Sequence, residues 1–324
     1  MTHGIRLHAL GGPEVLRWEA IEVASPGANE VRLRHTAAGV NYMDVYYRLG
    51  LYPAKLPIVL GNEAAGVVEE LGAGVTDFKL GDRVAYVTPA TGAYSEARVL
   101  AADQLVKLPD AISDVQGATM MMRGMTVQYL LRRTYRVAPG DTLLVHAAAG
   151  GIGLVMCQWA RHLGATVIGT VSTEDKARLA LAHGCTHVIN YAREDFVQRV
   201  SELTEGRKVA VVYDGVGKDT FARSLDCLRP MGTLVLFGHA SGKVPPFDLL
   251  TLAGKGSLYV TRPTLWTYIA TRADLVATAN ELIEVMTGGA VRIPVNQSYP
   301  LREAAQAHRD LEARRTTGAT VLAV

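Results

Sequence analysis

Residues 147–153 read AAAGGIG, set between an apolar run, DTLLVHA, and an amphipathic one, GIGLVMCQWARHLG. Measured against G-x-G-x-x-G, Ala148 stands in place of the first glycine, while Gly150 and Gly153 match. Small residues at a strand–helix junction also occur for packing alone. Here the run before, the helix after and the next apolar run, ATVIGTV, fit a strand–turn–helix–strand unit, which predicts a dinucleotide-binding turn. Without side chains the backbone can approach a pyrophosphate, and the first N–H groups of the helix point at it.

Which dinucleotide is held depends on the end of that next strand. NAD-specific folds place an acid about 20 residues on, to bond the ribose hydroxyls. This chain has Val171, Ser172 and Thr173 there, with Lys176 one helical turn beyond Ser172. A hydroxyl and a cation suit a 2′-phosphate and favour NADPH. Glu174 and Asp175 weigh against it, since they would repel a phosphate they faced. In the plainer alternative Lys176 is a solvated helix residue and Ser172 a helix cap.

A second chemical stretch is NYMDVYYRLGLYP, at 41–53, in which four tyrosines accompany Asn41 and Asp44. Asp44 suits a proton relay, or a local cap. No Ser–His–Asp set or carboxylate pair stands out, so hydrolysis has no support. His146, at the end of a strand, reads as a hydrogen-bonded core residue.

These residues need a scaffold. Up to about residue 110 the segments IRLHALG, EVRLRHTAAGV, EAAGVVEELGAGV, DRVAYVTP and YSEARVLA are short and β-leaning, separated by glycine and proline turns. They predict a β-rich, barrel-like domain. SDVQGATMMMRGMTVQYLLRRTY is helical, with Ser113 as its N-cap. Strands and helices then alternate through GSLYVTRP, the pattern of a doubly wound parallel sheet. Two helical segments, TRADLVATANELIEVMTGG and REAAQAHRDLEAR, and a closing strand, GATVLAV, complete an α/β protein.

Bulk properties narrow the partners. The 324 residues suggest about two domains. A net charge of +2 means that no strong field favours nucleic acid or an anionic membrane. Arg132, Arg133 and Arg136 fit a solvated helix face. Cys157, Cys185 and Cys227 form no CxxC and no short spacing, which argues against structural zinc and disulfides and for buried, reduced thiols. The N-terminus, MTHGIRLHALGGPEVLRWE, lacks an apolar h-region, no stretch reads as a membrane span, and a cytoplasmic protein is expected.

The stretches GGPEVL, GVNYMDVYYRLGLYP, GNEAAGVVEELGAGV, GDRVAY, HAAAGGIGLVMCQWA, VINY, VYDGVG, RSLDCL and GSLYVTRP run nearly end to end. By them the chain resembles the medium-chain dehydrogenase/reductase superfamily, and within it the bacterial quinone oxidoreductases related to zeta-crystallin. The resemblance implies a GroES-like domain over 1–125, a Rossmann domain over 126–263 and a segment, 264–324, that returns to the first. The family's A-x-x-G-x-x-G turn is matched by Ala147, Gly150 and Gly153. For the nicotinamide side the resemblance implies Asn41, Tyr46 and Thr126; for the pyrophosphate, Gly151 and Ile152. It implies Ser172, Lys176, Tyr191 and Arg314 at the 2′-phosphate, with Phe237, Gly238, His239, Pro263, Thr264 and Leu265 lining the remaining groove.

The superfamily's alcohol dehydrogenases carry a cysteine where this chain has Asn41, GHE where it has Gly61, Asn62 and Glu63, and a four-cysteine lobe that is absent here. Amides are poor zinc ligands, so no catalytic metal is expected. Without a Lewis acid an alkoxide lacks stabilisation, whereas a quinone is reduced to a delocalised hydroquinone anion. Asn41, Tyr46 and Tyr52 would orient, or donate hydrogen bonds to, the quinone oxygen; the tyrosines would otherwise be packing aromatics. Three readings stay open: an NADPH-dependent quinone reductase, an NADPH-dependent reductase of enone or alkenal C=C bonds, and an NADPH-dependent RNA-binding or crystallin-like protein. Relatives join sheet edges, which implies a homodimer through GTLVLFG and GSLYVTRP.

Overall fold

The computed structural model describes residues 1–324. Contacts divide the chain into two units: Met1–Met125, Ile269–Asn280 and Ile293–Val324 form the first, Thr126–Tyr268 and Glu281–Arg292 the second.

The first unit is built on a seven-stranded sheet. Its order is Val295–Pro300, Ala319–Ala323, Glu30–Val40, Glu63–Leu71, Arg83–Val87, Leu105–Lys107, with Ala97–Ala101 also paired to Glu30–Val40. The central strand begins by alternating, with Val31, Leu33 and His35 inside and Arg32 and Arg34 further out, the period of a half-buried strand. From Ala37 to Val40, where the closing strand pairs with Thr320 opposite Val40 and Ala323 opposite Ala37, it is buried throughout, and a Cβ on Gly39 would meet the Ala118 carbonyl at 2.4 Å. A small sheet of Leu16–Ile21, Thr2–Leu7 and Ile58–Val59 adds Ile5 and Leu7 to a core that includes Leu33, Val84, Tyr86 and Leu105.

Two helices of this unit matter for the site. Tyr42–Arg48 follows the central strand directly, and Ala304–Glu312 lies beside it. The Tyr42 hydroxyl donates to the Leu311 carbonyl at 3.2 Å, and buried Arg48 donates to Glu312 at 2.6 Å.

The second unit is a parallel six-stranded sheet in the order His187–Asn190, Thr166–Val171, Thr142–Val145, Val209–Asp214, Leu228–Leu236, Tyr259–Thr261. The first strand in sequence is thus central, the next two extend to one side and the last three to the other. That is the doubly wound order, whose crevice opens where the direction reverses. Val209–Asp214 is buried at every position, the mark of a strand covered on both faces. Ser113 caps the helix Asp114–Tyr129 as expected, accepting from the Gln116 N–H at 3.3 Å, and the Gln116 side chain completes a reciprocal cap by accepting from the Ser113 N–H at 2.9 Å. No helix is long and apolar enough to cross a membrane.

The structure corrects the C-terminal boundary. The stretch 264–324 does not return whole to the first unit, because 264–268 and 281–292 belong to the second. The helix Arg272–Thr287 is divided by its polar contacts. Arg272 donates to the Asp103 and Leu105 carbonyls, whereas Glu281 accepts from Gln128 and Arg132. Beyond the helix, Gln158 exchanges two hydrogen bonds with the Arg292 backbone.

Candidate active site

At the glycine turn, Ala147 takes a left-handed φ of 53°, and the Gly150 N–H returns to its carbonyl at 2.9 Å. A Cβ on Gly153 would come within 2.4 Å of that carbonyl oxygen. A Cβ on Gly169 would meet the Ala148 methyl at 2.6 Å. Both glycines are therefore needed for helix and strand to close on the turn. The helix Gly151–His162 starts from Gly150 without a side-chain cap, whereas Thr173 and Asp195 cap the next two helices. Its first N–H groups are left to an external acceptor, and a pyrophosphate fits that demand.

The following strand ends at Val171, and Thr173 is the cap: its hydroxyl accepts from the Lys176 N–H at 3.3 Å. Ser172 is not the cap, which corrects the plainer alternative. The two acids that weighed against a phosphate are engaged elsewhere. Glu174 accepts from Asn190 at 3.0 Å and pairs with Arg193, and Asp175 pairs with Arg178. Tyr191 is 45% exposed, and its N–H donates to the Val171 carbonyl at 3.0 Å.

Because the six strands are parallel, their C-terminal ends share one edge. The turns there carry Gly150–Gly153, Ser172, Lys176 and Tyr191, then Phe237, Gly238 and His239, then Pro263, Thr264 and Leu265. Buried Asp214 ties this edge together, accepting from the N–H groups of Val216 and Gly217 and from Thr220. Its own carbonyl accepts from the Phe237 N–H. His146 is a core residue, bonded to Thr170 and Ser224 at 2.9 Å each, and burial lowers its proton affinity. Thr126, buried, opens this unit on the helix Asp114–Tyr129. The three cysteines are buried free thiols, Cys157 and Cys185 with their sulfurs 3.3 Å apart.

The first unit holds Asn41, Tyr46, Tyr52 and Arg314. Asn41 is the N-cap of Tyr42–Arg48, and its N–H donates to Asp44 at 2.8 Å. Its side-chain amide donates to Glu63 at 2.7 Å. The same carboxylate accepts from Arg123 at 2.9 Å and from the Met122 N–H at 2.7 Å. Burial pushes the Glu63 carboxyl up, and Arg123 opposes it. Donors alone surround Glu63, so the cluster is built for the carboxylate. Tyr46 is buried and meets Tyr52 edge-on at 5.4 Å. Arg314 is exposed, just past Ala304–Glu312, in a left-handed conformation with φ 59°. A non-glycine residue seldom ends a helix this way.

Asp44 is fully buried, accepts from the Tyr94 hydroxyl at 2.8 Å and is pushed up to about 7 by that burial. Tyr94 lies 3.3 Å from His308, which burial lowers to about 3. Sequence reasoning missed the Arg123–Glu63 pair and the Tyr94–His308 contact. The one available signal was a lone arginine in the apolar run ATMMMRGMT.

A zinc site does not fit these residues. The Asn41 amide is engaged by Glu63, the Asn62 amide by the Thr88 and Pro89 carbonyls, and no three His, Cys, Asp or Glu side chains converge.

Comparison with known proteins agrees with this architecture. Residues 27–110 match the family described as alcohol dehydrogenase GroES-like domain, and residues 151–278 the family described as zinc-binding dehydrogenase. The chain is 55% identical to a quinone oxidoreductase of Pseudomonas aeruginosa, covering 99% of each chain. It is 50% identical to a 2-haloacrylate reductase of a Burkholderia species, covering 98% of this chain and 97% of the relative. The crystal structure of Escherichia coli quinone oxidoreductase complexed with NADPH superposes with a TM-score of 0.97 at 49% identity, over 100% of both chains.

Proposed function

The chain belongs to the quinone oxidoreductase family of the medium-chain dehydrogenase/reductase superfamily, and from that premise we propose that it passes reducing equivalents from NADPH to quinones. One observation carries the cofactor half of this reading. A glycine turn with an uncapped helix start stands beside a strand end where Ser172 and Lys176 replace the acid that would hold NAD.

NADPH, when bound, would supply a hydride, so that quinone, NADPH and one proton give hydroquinone and NADP⁺. The chain's own residues bind and orient. The N–H groups of Gly151 and Ile152 face the pyrophosphate. Ser172, Lys176 and Tyr191 take the 2′-phosphate, and Arg314 is assigned to the same charge. Phe237, Gly238, His239, Pro263, Thr264 and Leu265 line the groove. Asn41, Tyr46 and Thr126 serve the nicotinamide, while Asn41, Tyr46 and Tyr52 orient the quinone. The zinc-ligand types are lacking at Asn41 and Asn62, so the reaction is assigned no metal.

A second reading, reduction of an activated C=C bond, is favoured by the 2-haloacrylate reductase at 50% identity. Turnover of NADPH against a panel of quinones and enones separates the two; turnover confined to enones would replace the first by the second. A homodimer through the sheet edge Tyr259–Thr261 is also proposed, supported by the exposure of Tyr259 and Val260 on that edge and of Met231 nearby in the fold. A cytoplasmic setting is in keeping with three free thiols.

A further inference from the structure

The turn at Thr88–Ala90 in the first unit is held from several directions. Asn62 is fully buried and donates its amide to the Thr88 carbonyl at 2.9 Å and the Pro89 carbonyl at 3.2 Å. The Thr88 N–H donates to the Asn62 carbonyl at 2.9 Å, and the Thr88 hydroxyl to the Ala90 carbonyl at 2.7 Å. Arg98 also donates to the Ala90 carbonyl, at 3.1 Å. Crossed by this many bonds, the turn is a fixed shelf.

One side chain from the tyrosine stretch rests on it. The Tyr47 hydroxyl donates to the Pro89 carbonyl at 3.1 Å. The Tyr47 ring meets the Tyr52 ring edge-on, with centroids 5.6 Å apart and planes at 84°. Tyr52 in turn meets Tyr46 at 5.4 Å. Tyr52 sits in the segment after the helix Tyr42–Arg48, where its N–H reaches the Tyr46 carbonyl at 3.3 Å and its neighbours Leu51 and Pro53 are exposed. The Tyr46 and Tyr47 rings both pack against it, and the Tyr47 ring is held on the shelf by its hydroxyl.

We propose that Tyr47, anchored by its hydroxyl on the Asn62-held shelf, is a positioning residue that sets the orientation of Tyr52 and through it the binding of the quinone. This deepens the quinone reading and rests on it for the role of Tyr52. It also gives Asn62 a task unrelated to metal: its amide holds the carbonyl to which Tyr47 is bonded.

The test uses Tyr47→Phe, which keeps the ring and loses only the anchor, in the full chain with NADPH and 1,4-naphthoquinone. The quinone KM should rise about fivefold, the effect of one neutral hydrogen bond, with the NADPH KM unchanged. Tyr52→Ala should raise the quinone KM as well, and adding Tyr47→Phe to it should produce no further rise. A full additional rise in the double variant, or an equal change in both KM values, would show a merely structural Tyr47 and overturn the proposal. A second readout needs no turnover. In protein labelled with 3-fluorotyrosine, the Tyr52 resonance, assigned by its loss in Tyr52→Phe, should shift on Tyr47→Phe. A Tyr52 resonance unmoved by Tyr47→Phe overturns the positioning claim itself. A shift in a protein that fails to reduce any quinone would instead leave Tyr47 in place and overturn the acceptor reading.

Discussion

The carbonyl oxygen of Ala147 lies 2.4 Å from the point that a Cβ on Gly153 would occupy. Helix and turn are in backbone contact there, so a methyl group cannot be absorbed by a side-chain rotation. Gly153→Ala must push the helix start away from the turn, at about 1–3 kcal/mol for such overpacking. NADPH affinity should fall about fivefold or more in a fluorescence titration. Gly254, which has open space around its Cβ position, supplies the control, and Gly254→Ala should bind NADPH as the parent does.

Arg123 and Glu63 form a buried pair that also holds the Asn41 amide. Arg123→Leu strands a carboxylate in the core and should cost about 3–5 kcal/mol in urea unfolding. Replacing both partners by leucine should recover much of that loss, since no unpaired charge remains. A double variant as unstable as the two single losses combined would contradict this account of the cluster.

Acid titration should separate two opposing contributions. The Asp44 carboxyl is raised to about 7 in the fold, against about 3.9 when unfolded, so the folded chain holds that proton more tightly. Its contribution to stability is complete below about pH 4 and is lost as the pH rises towards 7. His35 and His308, lowered by burial to about 4 and about 3, act oppositely: their contribution is complete above about pH 6.5 and lost on acidification. Subtracting the Asp44→Asn stability curve from the parent's should expose a difference that falls between about pH 4 and 7. A flat difference would show that Asp44 is ionised throughout.

The second unit was legible because its signals are local. VAVVYD is apolar at nearly every position since both faces of its strand are covered, and each such run is followed by a helix. The glycine turn was readable from its spacing together with the strand and helix that flank it. What escaped depends on contacts distant in sequence. Glu63 and Arg123 are sixty residues apart, and Tyr94 and His308 more than two hundred, so no periodicity links them. Choosing between Ser172 and Thr173 as the cap required the backbone, as both are hydroxyl residues at adjacent positions. The strand Leu228–Leu236 begins four residues before the run GTLVLFG, because Leu228, Arg229 and Pro230 close the stretch DTFARSLDCLRP, whose pattern is helical. The division of Arg272–Thr287 between units rests on Glu281, whose pairing with Gln128 and Arg132 carries no mark in the sequence.

Association through Tyr259–Thr261 predicts a light-scattering mass of twice 34.8 kDa at micromolar concentration. Val260→Asp should shift it towards the single-chain mass by placing like charges on the facing edges. A parent protein at 34.8 kDa would refute the dimer.

The central claim is that this fold presents NADPH to a quinone, and that it selects NADPH by charge at the 2′-phosphate. Steady-state titrations of NADPH and NADH with one quinone, on the parent and on Lys176→Ala, test it most directly. One charge-assisted hydrogen bond is worth about 1.5–3 kcal/mol, so the variant should raise the NADPH KM about tenfold or more and leave the NADH KM nearly unchanged. The parent should prefer NADPH, and added salt should erode that preference. Equal losses on both cofactors, or a parent that uses NADH as well as NADPH, would contradict the account.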